Sequence, residues 1–249
     1  MKTIYITGAT SGFGEAIARR FASEGWRLVI TGRRQERLTQ LAEELAPAPV
    51  YTSCYDVRDK EAVQKSIQEL PEEFKNIDVL VNNAGLALGL SPAHKSDMND
   101  WETMVDTNIK GLLYVTHALL DGMVERNVGH VINLGSIAGT YPYPGGNVYG
   151  GTKAFVEQFS KNLRADLLGT AVRVTNVEPG MAESEFSLVR FKGDAEKACS
   201  VYDGYQPLTP QDIAEITYWS TMLPPHVNIN AMEVMPVAQA FGAFPIHKE

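Results

Sequence analysis

Tyr149 and Lys153 have the types and spacing for acid–base chemistry. Four apart on a helix, both side chains share one face, within reach of each other and of a common ligand. A phenol near pKa ~10 is a poor acid–base at neutral pH, and an adjacent ammonium stabilises the phenolate and brings it closer to the working range. Ser136, in Leu134-Gly135-Ser136 after an apolar run, could donate to a substrate oxygen as charge develops there. Asn108 stands in a helical stretch otherwise lined with apolar residues and could anchor a water leading from Lys153 to solvent. Each also has an ordinary explanation: a Tyr/Lys pair packing at a surface, a Gly-Ser turn, an Asn satisfying a carbonyl. Together, in this order behind a cofactor motif, they point to a reaction centre.

That motif is Thr7-Gly8-Ala9-Thr10-Ser11-Gly12-Phe13-Gly14, between a first strand and a first helix. There backbone amides without Cβ obstruction can meet a pyrophosphate at the positive end of a helix. A glycine-rich turn alone is weak support, and its placement between strand and helix is what strengthens it. At the end of the second strand, a cofactor with a free ribose 2′-hydroxyl would want Asp or Glu. Gly32-Arg33-Arg34 stands there, with no carboxylate from Val29 to Gln35. Two guanidinium forks suit a 2′-phosphate and hence NADP(H), although either arginine could instead be a solvated helix-start residue. Asp56-Val57 follows the third strand and could bond and cover an adenine. Asn82-Asn83-Ala84-Gly85 follows the fourth and offers a small-residue turn for a ribose.

The elements that must carry these residues alternate from the start: strand-like runs at 4–7, 28–31 and 50–55, helical patterns at 14–23 and 35–45. This rhythm predicts βαβ units around a parallel sheet. Later strands are almost continuously apolar, as in Val79-Leu80-Val81 and Val131-Ile132-Asn133-Leu134, which is expected when helices cover both faces. The fold class is therefore α/β, a single Rossmann domain over 1–249 with a doubly wound parallel sheet. Further helices are expected at 100–123, broken near Gly111; at 149–168, stopped by Gly169; and after Thr209, with Pro210 first. The stretch 180–206 has little periodicity and is a candidate substrate lid. Beyond a last strand near 228–235, the tail 236–249 carries Phe241, Phe244 and Ile246 and is too apolar to stay in water alone.

Composition narrows the function class. The chain of 249 residues has 22 basic against 30 acidic residues, net −8, which offers no footprint for nucleic acid or an anionic membrane. No apolar run reaches transmembrane length and no signal peptide is evident, so a cytoplasmic enzyme is expected. Cys54 and Cys199 fit no ligand spacing and are expected as free thiols in a reducing compartment. His94, His117, His130, His226 and His247 are scattered, and no metal site is expected.

Over essentially its whole length the sequence resembles the short-chain dehydrogenase/reductase family. The resemblance rests on Thr7, Gly8, Gly12 and Gly14; on Asn82 to Gly85; on Asn108, Ser136, Tyr149 and Lys153 as a catalytic tetrad; and on Pro179-Gly180 after the sixth strand. It implies that Tyr149 is the general acid–base, that Lys153 also holds the nicotinamide ribose, and that Ser136 orients the reacting carbonyl. Finer stretches, 31–38, 82–89, 145–150 and 189–193, are similar to the NADP-dependent 3-hydroxy acid dehydrogenases acting on serine, allo-threonine and 3-hydroxypropionate. Met181-Ala182-Glu183-Ser184 and the end 240–249 depart from that pattern, where substrate choice is usually made.

A small anionic substrate needs a cation or donors near the nicotinamide. Arg190 and Lys192 in the lid are candidates for the former and Asn147 for the latter, although Arg190 could equally be a solvated charge or a subunit contact. A sulfonate would suit an Arg fork as well as a carboxylate, so a sulfoacetaldehyde reductase is the alternative to a 3-hydroxy acid dehydrogenase. A non-catalytic NADP-sensing protein is a further reading, disfavoured by the presence of both Tyr149 and Lys153. Family members often pair through the helices carrying Asn108 and Tyr149, so a homotetramer is expected.

Overall fold

The computed structural model describes residues 1–242. Seven strands lie in one fully parallel sheet: β1 Thr3–Ile6, β2 Arg27–Gly32, β3 Val50–Cys54, β4 Val79–Asn82, β5 Gly129–Leu134, β6 Val172–Pro179 and β7 Ala231–Val234, in the order β3-β2-β1-β4-β5-β6-β7. Because side chains alternate across a strand, neighbouring residues enter different cores. Ile4 and Ile6, Leu28 and Ile30, Val79 and Val81 face one layer, while Tyr5, Val29 and Leu80 face the other. Both faces of the central strands are covered, which is why β1, β2 and β4 are mostly apolar.

The first layer is closed by α1 Gly12–Ser23, α2 Gln35–Glu44 and α9 Pro210–Met222. Phe21 anchors it, edge-on to Trp26 at 4.9 Å and to Tyr218 at 5.3 Å. The second is closed by α3 Lys60–Gln68, α5 Leu112–Glu125 and α6 Asn147–Asp166, whose Val63, Val115, Leu119, Met123 and Leu163 are buried. The Thr209/Asp212 capping box with Pro210 starts α9 where expected.

The expected helix over 100–123 is divided earlier than Gly111. It runs as α4 Met98–Val105, a π-helical turn Asp106–Gly111 that contains Asn108, then α5. The stretch 180–206 is not a plain loop. Side-chain caps from Ser184 and Asp194 start two short helices, α7 Glu185–Arg190 and α8 Ala195–Ser200. The tail turns back on the molecule: Gln239 Oε1 accepts from Met181 N at 2.8 Å, and the Phe241 ring lies 5.3 Å from Tyr141. Residues 243–249, with Phe244 and Ile246, lie outside the described residues.

Candidate active site

Strand order reverses between β1 and β4, and loops leaving neighbouring strand ends diverge there to form a crevice. A cleft of about 330 Å³ opens at that point, walled by the loops after β1 to β6 and by the lid helix α7. At one end lie Arg33 and Arg34; at the other, Ser136, Tyr149 and Lys153.

The backbone after β1 makes a close approach that only glycine permits. Gly8 has φ +66°, and a Cβ on Gly14 would strike the Gly8 carbonyl and lie 2.5 Å from Asn83 Nδ2. Ser11, at the N-cap of α1, makes no side-chain bond to the helix, so no cap competes for its first-turn amides. Thr10, Ser11, Gly12 and Phe13 line the cleft, which suits a dinucleotide pyrophosphate. Thr7 does not line it. Buried under the loop, its Oγ1 accepts from the amides of Asn83 and Ala84 at 3.0 and 2.9 Å, while Asn83 Nδ2 donates back to the Thr7 carbonyl. Thr7 thus ties the loops after β1 and β4 together rather than contacting a ligand.

The two arginines differ. Arg34 is occupied: Nε donates to Thr10 Oγ1 at 3.1 Å, Nη2 to Ser11 Oγ at 2.8 Å and Nη1 to Glu185 Oε2 at 3.0 Å. The Arg33 side chain is 61% exposed and only 3.8 Å from Asp56, so its fork faces the cleft largely uncommitted. Asp56 is itself held by Arg58 at 2.7 Å; burial pushes its carboxyl up, but the Arg58 hydrogen bonds outweigh this and keep it below the usual range. Val57, Ala84 and Gly85 complete this wall, and Pro179 and Gly180 lie across from it.

At the reaction end, α6 presents Tyr149 and Lys153 on one face, each 8% exposed. Lys153 Nζ donates to the Leu134 carbonyl at 2.7 Å and stands 5.8 Å from the Tyr149 ring centre. Burial, with no charged partner, lowers Lys153 to about 8. The expected lowering of the phenol is not seen. Burial raises Tyr149 to about 12, against the smaller pull of the Ser136 hydroxyl and the Arg190 charge. Tyr149 so placed keeps its proton across neutral pH, which a donor to a substrate oxygen would need. A carbonyl oxygen held between Ser136 and Tyr149 that gained charge would become an alkoxide, a far stronger base than phenolate, and could take that proton. Ser136 leaves β5 extended and accepts from Ala138 N at 3.1 Å. Asn108 is fully engaged as a brace: Nδ2 donates to Leu86 O at 2.8 Å and Thr152 Oγ1 at 3.0 Å, and Oδ1 accepts from Leu86 N at 2.9 Å. It ties the loop after β4 to α6.

The lid brings Arg190 against Tyr149 and Phe186 at this end, its guanidinium carbon 5.1 Å from the Tyr149 ring centre and 5.2 Å from that of Phe186, although Arg190 is not itself among the residues lining the cleft. Nη2 donates to Tyr143 Oη at 2.7 Å, and Nε is buried without a partner. Asn147 is not part of the cleft. It is exposed, with Nδ2 donating to Ser91 O at 3.2 Å and Oδ1 accepting from Val148 N. Lys192 points away to Asp100 at 2.8 Å. Phe186 and Glu185 line the cleft and Tyr143 bonds Arg190 beside it; nothing in their local sequence pattern marks any of the three, and only the folded chain brings them to this end.

A glycine cradle at a helix start, two arginines after β2, and a serine, tyrosine and lysine converging at the far end define a dinucleotide-dependent oxidoreductase. The short chain dehydrogenase family matches residues 2–193, and the chain belongs to it. It is 57% identical over 247 residues to NADP-dependent 3-hydroxy acid dehydrogenase YdfG of Escherichia coli (strain K12), covering 99% of each. It is 56% identical over 248 residues to sulfoacetaldehyde reductase 2 of Chromohalobacter salexigens, covering 99% of this chain and 98% of that protein. The closed form of a serine dehydrogenase complexed with NADP+ superposes with a TM-score of 0.97 at 56% identity, covering 99% of this chain and 100% of that one.

Proposed function

We propose that this enzyme is an NADP(H)-dependent oxidoreductase that interconverts a small anionic hydroxy compound and its aldehyde or ketone. The substrates of first choice are 3-hydroxy acids such as serine, allo-threonine and 3-hydroxypropionate with its partner malonic semialdehyde. The observation that carries this is Arg190, caged by Tyr143, Phe186 and Tyr149 with an unpartnered Nε directly beside the proton donor. A guanidinium so placed can take an anionic group while the carbonyl meets Tyr149 and Ser136.

NADP(H), when bound, supplies or accepts the hydride. Arg33 would meet the 2′-phosphate, Thr10 to Phe13 the pyrophosphate, Asp56 and Val57 the adenine end, and Lys153 the nicotinamide ribose. Asn83 to Gly85 and Pro179-Gly180 would flank the cofactor, with Thr7 and Gly14 shaping the loop, and Asn108 sets α6 for catalysis. The similarity to NADP-dependent 3-hydroxy acid dehydrogenases supports both cofactor and substrate class.

A sulfoacetaldehyde reductase is the second reading, favoured by the comparable similarity to sulfoacetaldehyde reductase 2. The two separate on kcat/KM for NADPH oxidation with malonic semialdehyde and sulfoacetaldehyde measured side by side. A preference above about tenfold for malonic semialdehyde, about 1.4 kcal/mol in transition-state stabilisation, is expected. The reverse preference would assign the pocket to a sulfonate. We further place the enzyme in the cytoplasm, as its exposed free thiols Cys54 and Cys199 suit a reducing compartment, and propose a homotetramer. Among the described residues no helix is long and apolar enough to cross a membrane.

A further inference from the structure

Glu185, the first residue of the lid helix α7, stands 151 and 148 residues from Arg34 and Arg37, the arginines that hold it. Its Oε2 accepts from Arg34 Nη1 at 3.0 Å and its Oε1 from Arg37 Nη1 at 3.3 Å. Arg34 simultaneously grips Thr10 and Ser11, so one guanidinium joins the pyrophosphate-binding loop to the lid. Against the same loop, Ser184 Cβ lies 3.5 Å from where a Cβ on Gly12 would be. Burial pushes the Glu185 carboxyl up, but the Arg34 hydrogen bond and charge outweigh it and keep the carboxyl ionised. Arg190 lies five residues further along the same short helix. Pinning the first turn of α7 therefore fixes where that guanidinium meets Tyr149.

We propose that Glu185 is the positioning residue of the lid: clasped by Arg34 and Arg37 at the cofactor end of the cleft, it sets α7 so that Arg190 covers the reaction end. The clasp depends on charge rather than on apolar packing, since Glu185, Arg34 and Arg37 are all partly exposed. Lid placement thereby becomes answerable to the region that receives the dinucleotide. Its effect on substrate binding rests on Arg190 being the anion-binding group; its effect on the lid itself does not.

The test uses Glu185→Gln, Arg37→Gln and the double variant of the full-length protein, saturated with NADP+. Tryptic cleavage after Arg190 and Lys192 is read by fragment mass, and NADPH affinity by fluorescence titration. Glu185→Gln should speed lid cleavage about threefold to fivefold, the size set by a partly exposed ion pair, and the double variant should add little to it. KM for the anionic aldehyde should rise by a similar factor with kcat nearly unchanged, and NADPH affinity should not fall. Unchanged cleavage in Glu185→Gln, fully additive variants, or a loss of NADPH affinity larger than the change in the lid would each overturn the proposal. Faster cleavage with an unchanged KM would leave the clasp standing and refute Arg190 as the anion-binding group.

Discussion

Tyr149 is chemically ordinary until its surroundings are counted. Burial holds its proton to about 12, so across neutral pH it stands ready to donate, and Ser136 beside it can share the charge that appears on the substrate oxygen. Tyr149→Phe keeps the ring, its packing on Phe186 at 5.5 Å and the shape of the cleft, and removes only the transferable proton. Turnover should vanish in this variant while NADPH binding, read by fluorescence, stays nearly intact; appreciable turnover would remove Tyr149 from the proton-donor role. Arg33 carries a second, separable role. Its fork faces the cleft, so Arg33→Ala should weaken NADPH about tenfold to a hundredfold, the value of a charge-assisted contact, and NADH hardly at all. Equal losses with both cofactors would rule out a 2′-phosphate contact there. That Tyr149, Lys153 and Ser136 converge on one cleft was legible because it depends on local spacing or on a position just after a strand. Asn147 was misread for the same reason: two residues before Tyr149 it turns to the opposite side of the helix start, where it meets Ser91.

The central strands are the elements whose limits the chain displays best, because burial on both faces leaves mostly apolar residues between the turns. The polar exceptions inside them show the cost of that burial. His130 on β5 lies beside Arg173 of β6 in register, its Nε2 is 2.8 Å from Thr175 Oγ1, and its Nδ1 is buried without a partner. Burial first, then the Arg173 charge, lowers it to about 3 from the ordinary 6.5. The unfolded chain therefore binds a proton below pH 6.5 that the folded chain refuses, so stability present above that pH is lost as pH falls toward about 3. The slope approaches about 1.4 kcal/mol per pH unit. Glu178, raised to about 7 by burial and then by Glu157 and Glu233, acts in the opposite sense, costing stability as pH rises through that value. The informative measurement is thus the difference between wild type and His130→Gln in urea unfolding from pH 7 to 4.5. The gap should narrow steadily as pH falls; parallel curves would show that His130 protonates in the native fold. Helices with a single short turn were less legible than strands. α7 and α8 are six residues each, too short for a periodic stripe, and only the caps at Ser184 and Asp194 mark where they start.

At the scale of the molecule, the parallel order puts every loop that carries chemistry on one side of the sheet, which is why residues spread from Gly8 to Val189 share one cleft. The remaining surface carries a different kind of information. On α9, Trp219 and Met222 are each 53% exposed. On the outer side of α6, Phe155 and Phe159 stack at 5.9 Å, within 7° of parallel and only half-buried. Two apolar faces on different sides of one chain suit two different two-fold contacts, the arrangement that closes a tetramer with perpendicular axes. Light scattering should therefore give about four times the chain mass of 27.4 kDa. Trp219→Glu should cut one contact and Phe155→Glu the other, each leaving dimers, and the two together should leave monomers. A wild-type monomer at working concentration would show that neither face has a partner in solution. A variant that breaks the tetramer straight to monomers would mean that the two contacts depend on each other.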